Sequence, residues 1–325
     1  MPPADGQTTT TLPPFKKLPM LGPDIAVERR ADGTVLLQAR QAPGDRPRSI
    51  AHLLDEKAAA HPDRPYMRQR LPSAPGAPLG PWRQVTYGEA GRLTDGLAQG
   101  LLDHGLGPDA PLMILSGNSI EHAMLTLAAM KARAPVAPMS VPYSLMSQTH
   151  DKIRHAFRLI RPRAVFVQTL APYAAALAAL QEEAGGPLTI VTADPGAHTG
   201  AIGYADLAAT TPTAAVKASM DSITDATVAK FLFTSGSTGM PKGVPQTQGM
   251  MCALIAGQEG LRSEDRADDA PPVMLDWMPW NHISGANVNF NANLWAGGIH
   301  TIDDGKPLPG LFETTIKNLY EVSPE

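Results

Sequence analysis

The stretch VAKFLFTSGSTGMPKG, residues 228–243, carries two kinds of chemistry in sequence. Residues Val228–Phe233 form a short apolar run of strand character. The next ten residues, Thr234–Gly243, hold three glycines and four hydroxyl side chains. Glycines let the backbone approach an anion and turn its N–H groups inward, and hydroxyls add further donors. Lys242 supplies a mobile positive charge suited to outer phosphates. A helix expected to begin near Gln246 would aim its positive end at the same anion. Three other patterns fit less well. A Walker loop places Gly before its lysine, whereas Pro241 stands there. A hydrolase elbow separates its serine from the first glycine, whereas Ser237 adjoins Gly236. A flexible linker seldom follows an apolar strand so directly.

Upstream, strand-like and helix-like patterns alternate. Thr86 and Glu89 have the spacing of a capping box, followed by Ala90, Leu93, Leu97 and Leu101 at helical intervals and a stop at Gly105. Leu112–Leu115 reads as a buried strand, and Asn118 with Glu121 as the start of a second capped helix. Strands at Val136–Met139, Ala164–Val167 and Leu188–Val191 alternate with helices around Ile153–Ile160 and from Ala171. The order predicts an α/β fold with mainly parallel sheets and flanking helices. Leu71–Pro81 and Thr210–Thr227 read as loops or linkers, and Gln258–Pro272 as a polar surface loop. Beyond them come a strand at Val273–Met278, a Gly/Asn-rich helix from Ser284 and a strand at Ile299–Ile302.

Composition narrows the class. With 27 basic and 31 acidic residues the net charge is −4, which argues against a general nucleic-acid partner. No apolar run is long enough to span a membrane. The N-terminal MPPADGQTTTTLPPFKK lacks the layout of a secretory leader and reads as a flexible tail. One cysteine, Cys252, cannot close an internal disulfide, which points to a reducing, cytoplasmic location.

TSGSTGMPKG resembles the phosphate-loop signature of the adenylate-forming superfamily, which includes acyl-CoA synthetases, luciferases and peptide-synthetase adenylation domains; all ten positions fit. The segment Trp82–Ser140 is similar to the family's N-terminal subdomain throughout. A second block, DWMPWNHISG at Asp276–Gly285, resembles the family segment in which Pro, an aromatic residue, His and Gly follow one another. Its WMPWNH form, the IDDGKP at Ile302–Pro307 and the VPYSLMSQ at Val141–Gln148 look like feruloyl-CoA synthases, which activate hydroxycinnamic acids.

The resemblance implies ATP, Mg2+ and CoA as cofactors and a small carboxylic acid as substrate. It implies attack of the carboxylate on the α-phosphorus of ATP, then transfer of the acyl group to a thiol, that of CoA or of a carrier protein. A medium- or long-chain fatty acyl-CoA synthetase and a non-catalytic nucleotide-binding protein are the alternatives. By resemblance, Thr234, Ser235, Gly236, Ser237, Thr238, Gly239 and Lys242 hold the β- and γ-phosphates, and the Thr234 hydroxyl reaches Mg2+. His282 borders the acyl pocket and the CoA path and joins Lys242 as a catalytic candidate. Trp280 is either a core anchor or a contact to an aromatic acid, and Asn281 either a cap or a pocket donor. Gln248 departs from the histidine many relatives carry, removing any titratable role there. Asp303, Asp304 and Lys306 read as a structural turn. In domain terms, residues 1–48 are a tail and lead-in and 49–325 an AMP-binding N-terminal domain. The family's later motifs do not occur before Glu325, so that domain is expected to be incomplete, with the C-terminal cap domain absent.

Overall fold

Side chains along the central strands alternate between two separate cores, and this accounts for their unbroken apolar sequences. On one face Leu112, Ile114, Ala164 and Phe166 join a large cluster with Leu97, Leu101, Met124, Leu127 and Ile255. On the other, Met113, Leu115, Val165 and Val167 pack with Ile153, Phe157, Leu177 and Leu180. A strand covered on both faces needs apolar residues at every position.

The computed structural model describes residue 22 and residues 24–73, 79–194, 200–234, 239–261 and 270–324. A hairpin comes first, β1 (Ile25–Arg29) and β2 (Val35–Ala39). Helix α1 (Ile50–Ala60) leads to antiparallel β3 (Pro65–Arg70) and β4 (Trp82–Thr86). Next in order are α2 (Tyr87–Asp103), β5 (Leu112–Ile114), α3 (Ile120–Lys131), β6 (Val136–Pro138) and α4 (Val141–Leu145). They are followed by α5 (Asp151–Ile160), β7 (Ala164–Val167), α6 (Leu170–Ala184), β8 (Thr189–Thr192) and β9 (Ala201–Gly203). Helices α7 (Tyr204–Ala208) and α8 (Ala214–Asp221) precede a second hairpin, β10 (Val228–Thr234) and β11 (Lys242–Thr247). Then come α9 (Gln248–Glu259) and β12 (Val273–Asp276). A π-helical stretch, Ser284–Asn289, continues as α10 (Phe290–Trp295), followed by β13 (Ile299–Ile302) and α11 (Phe312–Val322).

Among the described residues the larger sheet has seven strands in the order β11-β10-β6-β5-β7-β8-β9, parallel except for β11. Chain order reverses at β5, with β6 on one side and β7 on the other. A four-stranded sheet, β12-β13-β3-β4, is parallel from β12 to β3 and antiparallel at β4. The α/β architecture with mainly parallel sheets and flanking helices agrees with the sequence reading. No helix among the described residues is long and apolar enough to cross a membrane.

Local chemistry explains most element ends. The Thr86–Glu89 capping box forms in both directions, and α2 stops ahead of Gly105, whose φ of +78° is open to glycine. The cap of α3 differs from expectation. Ser119, not Asn118, accepts the His122 N–H at 3.0 Å, and the Glu121 carboxylate grips Arg83 through two bonds of 2.6 and 2.8 Å. The Thr210–Thr227 stretch is not simply a linker either, because it contains α8, capped by Thr213.

Candidate active site

In parallel sheets, the strand ends where chain direction switches leave room for a ligand. A cleft of about 440 Å3 lies at such ends here. Ser116, Gly117 and Asn118, which follow β5, line it together with Met139–Pro142, which follow β6. Trp277 and Pro279–His282 follow β12, and Ile302–Asp304 and Lys306 continue from β13. Thus Trp280, Asn281 and His282 share one wall, and the VPY and IDDGK segments singled out in the sequence stand around the same space.

The WMPWNH segment is fixed from three directions. Asp276 Oδ1 accepts the Met278 N–H at 2.9 Å and Oδ2 accepts Asn289 Nδ2–H at 3.1 Å. Burial raises the Asp276 carboxyl above the usual carboxylate range. His300 Nε2 lies 3.8 Å from the same carboxylate. Burial pushes that imidazole down to about 4, so it is neutral and forms no ion pair. From the other sheet, the Asn118 amide donates to the Met278 carbonyl at 2.8 Å and accepts the Trp280 N–H at 3.1 Å. From below, Gly285 passes so close that a Cβ there would stand 2.7 Å from both the Met278 and Pro279 carbonyl oxygens.

The Trp280 ring is buried, edge-on to His122 at 5.1 Å and to Phe290 at 5.2 Å between centroids. His282 is exposed; its backbone N–H bonds the Pro279 carbonyl at 3.1 Å. Asp303 is structural, as the sequence reading had it. It accepts the Gly305 N–H, the Asn318 amide and the Thr315 hydroxyl at 2.9, 2.7 and 2.7 Å.

Of the phosphate-loop candidates, Thr234 ends β10, which pairs with β6, and Lys242 begins β11. Thr234 and Lys242 are cross-strand partners, both exposed. Gly239 has φ +86°, a conformation that favours glycine. The loop's far side is tied down where His155 Nε2 meets the Pro241 carbonyl at 3.0 Å. Ser235, Gly236, Ser237 and Thr238 lie outside the described residues. The helix expected near Gln246 forms as α9 from Gln248, but its start does not face the loop. The chain returns as antiparallel β11, and α9 starts beside Val228, at the opposite end of β10 from the loop. Six strand residues span about 20 Å, too far for the helix end to favour an anion at the loop. Gln248 is fully buried, and its Oε1 accepts the Ile50 N–H at 3.0 Å, satisfying an amide at the start of α1.

The sequence reading missed Lys230 and His122. Both are buried behind Trp280. A lysine in the middle of the apolar run VAKFLF was the available signal for the first.

The profile of the AMP-binding enzyme family matches residues 54–319. The chain belongs to the AMP-binding enzyme family. Over 243 residues it is 26% identical to a Humulus lupulus protein named probable CoA ligase CCL9, covering 71% of this chain and 41% of that protein. Its fold is similar to the A domain of carboxylic acid reductase from Segniliparus rugosus, solved with AMP and a co-purified carboxylic acid. That match has a TM-score of 0.66 at 16% identity and covers 85% of this chain and 47% of the other. The luciferase-like enzyme of the nonluminescent Zophobas morio mealworm gives a TM-score of 0.63 at 16% identity, covering 87% and 62%. At such identities the likeness is one of fold. This AMP-binding chain spans less than two thirds of the length of each of these relatives.

Proposed function

We propose that the whole protein joins a carboxylic acid to ATP, giving an acyl-adenylate and pyrophosphate, and then passes the acyl group to the thiol of CoA. Residues 49–325 are its nucleotide- and acid-binding domain and residues 1–48 a lead-in. One observation carries the reading: in a member of the AMP-binding family, the strand that leads into the phosphate-loop motif, β10, pairs with β6, and the residues after β6 line a cleft together with Trp280, Asn281 and His282.

The chemistry asks for positioning and charge neutralisation. Lys242 offsets the negative charge that gathers on the departing pyrophosphate, while Thr234, Ser235, Gly236, Ser237, Thr238 and Gly239 hold the β- and γ-phosphates. Among the described residues, no group of three or more His, Cys, Asp or Glu is placed to hold a metal. Mg2+ is carried largely by phosphate oxygens and water, with the exposed Thr234 hydroxyl as a protein ligand. His282 borders the acid and the approach of CoA, and Trp280 and Asn281 contact the acid. The acid is ferulate or a related hydroxycinnamate, a reading supported by the WMPWNH, VPYSLMSQ and IDDGKP sequences, each of which contributes residues to the cleft wall.

The test is pyrophosphate release from Mg-ATP by the full-length protein, with ferulate and decanoate compared. Ferulate is expected to drive release and, once CoA is added, to yield a thioester. Release driven only by decanoate would replace ferulate with a fatty acid. No release with any carboxylic acid overturns the adenylation reading itself.

A further inference from the structure

Behind Trp280 lies a second, much smaller chamber, walled by Lys230, His122, Thr126, Trp280, Phe290 and Val136 among others. Its volume is about 10 Å3, room for one oxygen-sized group. His122 and Trp280 also line the large cleft, so the two spaces share a partition.

The chamber's polar groups are unusual for so buried a place. Lys230 is 3% exposed, and its Nζ donates to the Ala286 carbonyl at 2.8 Å and to Asn287 Oδ1 at 3.3 Å. Burial lowers this ammonium to about 7. As a neutral amine it spends both N–H bonds on those two acceptors and keeps its lone pair. Thr126 Oγ1 and Trp280 Nε1 are also buried, and neither has a hydrogen-bond partner among the described residues. Unpaired buried polar groups are costly, and a ligand that satisfies them recovers the loss.

We propose that this chamber recognises a hydroxyl group at the far end of an aromatic acid, with Lys230 and Thr126 as its specificity-determining partners. A phenol suits the site. Its O–H donates to the Lys230 lone pair, and its oxygen accepts from the Thr126 hydroxyl or the Trp280 indole N–H. A carboxylate at that end would lose its hydration against Val136, Pro138 and Phe290 without a full positive charge to meet it. An alkyl end would leave the amine and hydroxyl stripped of water. The rigid acid lies in the cleft, and its hydroxyl reaches the chamber across the partition that His122 and Trp280 form between the two spaces. The inference rests on the acid-activating reading for the orientation of the substrate, but the binding measurement below does not depend on ATP chemistry.

The experiment is calorimetric titration of the full-length protein with 4-hydroxycinnamate and with unsubstituted cinnamate. The native protein is expected to bind the hydroxylated acid about 10- to 100-fold tighter, the usual worth of satisfying buried polar groups. Lys230→Met should bring the two acids to within about 3-fold by weakening only the hydroxylated one. Thr126→Val, nearly isosteric, should narrow the gap in the same direction, and it decides the matter if Lys230→Met does not fold. No preference in the native protein, or a preference that survives the folded Lys230→Met or, failing that, Thr126→Val, overturns the proposal. Lys230-dependent binding without pyrophosphate release would remove the adenylation reading and leave this site standing. Release without any preference for the hydroxyl would do the reverse.

Discussion

Asn118 reaches across from the end of β5 to hold Trp280, accepting its backbone N–H at 3.1 Å while donating to the Met278 carbonyl at 2.8 Å. One amide therefore joins the seven-stranded sheet to the loop after β12, and the cleft lies where they meet. Asn118→Ala breaks both bonds and leaves backbone groups poorly satisfied. The expected loss is about 1–3 kcal/mol of stability, read as a lower urea midpoint. A weaker affinity for the acid should accompany it, because Trp280 and Asn281 are no longer held in register. An unchanged midpoint with unchanged acid affinity would show that Asp276 and Gly285 suffice to hold the segment.

The contact beneath that segment is steric. A methyl at Gly285 meets two carbonyl oxygens at 2.7 Å, and both belong to backbone that is fixed by other bonds. Gly285→Ala is thus expected to destabilise by about 1–3 kcal/mol, the usual cost of overpacking. It should raise the KM for the acid more than that for ATP, since the displaced residues lead into the cleft wall rather than the phosphate loop. Equal effects on both substrates would argue for a general loss of folding instead.

Much of this arrangement was legible in the sequence, and the omissions have physical causes. Ala164–Val167 coincides with β7 because a strand buried on both faces is apolar throughout, and Ile299–Ile302 coincides with β13, whose β-branched Ile299, Thr301 and Ile302 favour a strand although His300 and Thr301 are buried polar residues. β11 escaped notice because it is the sheet edge. Its KGVPQT sequence is mostly exposed and includes Pro245, which only an edge tolerates easily. α8 was hidden by an Ala/Ser/Thr-rich sequence whose helical signal reduces to Val216 and Met220. Within the site, each motif was visible as a word but not as a wall. VPY and WMPWNH stand far apart in the chain; the parallel pairing of β5 with β6 sets VPY beside Asn118, and Asn118 bonds across to Met278 and Trp280 in the loop after β12. Asn118 read as a helix cap because a polar residue just ahead of an apolar helix usually is one.

Lys242 stands across the hairpin from Thr234, exposed at the mouth of the phosphate loop. If it neutralises the departing pyrophosphate, Lys242→Ala should lower the rate of acid-dependent pyrophosphate release about 10- to 1,000-fold. Stability should hardly move, since the ammonium contacts solvent. Lys242→Arg keeps the charge and should recover part of the rate. Release at the native rate in the alanine variant would remove Lys242 from the chemistry.

Lys230 makes a prediction about stability that needs no substrate. Its usual value of 10.5 is lowered to about 7 by burial. Between those values the unfolded chain holds a proton that the native protein lacks, so stability rises with pH over that window. Below about 7 both states are protonated and the penalty of a buried charge is constant. Over the window the slope approaches at most about 1.4 kcal/mol per pH unit. His122, which burial holds at about 4, is neutral throughout and adds nothing to it. Lys230→Met removes the titration, so its stability gain over the native protein should be largest near pH 7 and shrink steadily toward pH 10. Urea denaturation of both proteins at four pH values measures the difference directly. A gap that stays constant from pH 7 to pH 10 would mean that Lys230 keeps its proton in the folded protein, held by the Ala286 carbonyl and Asn287.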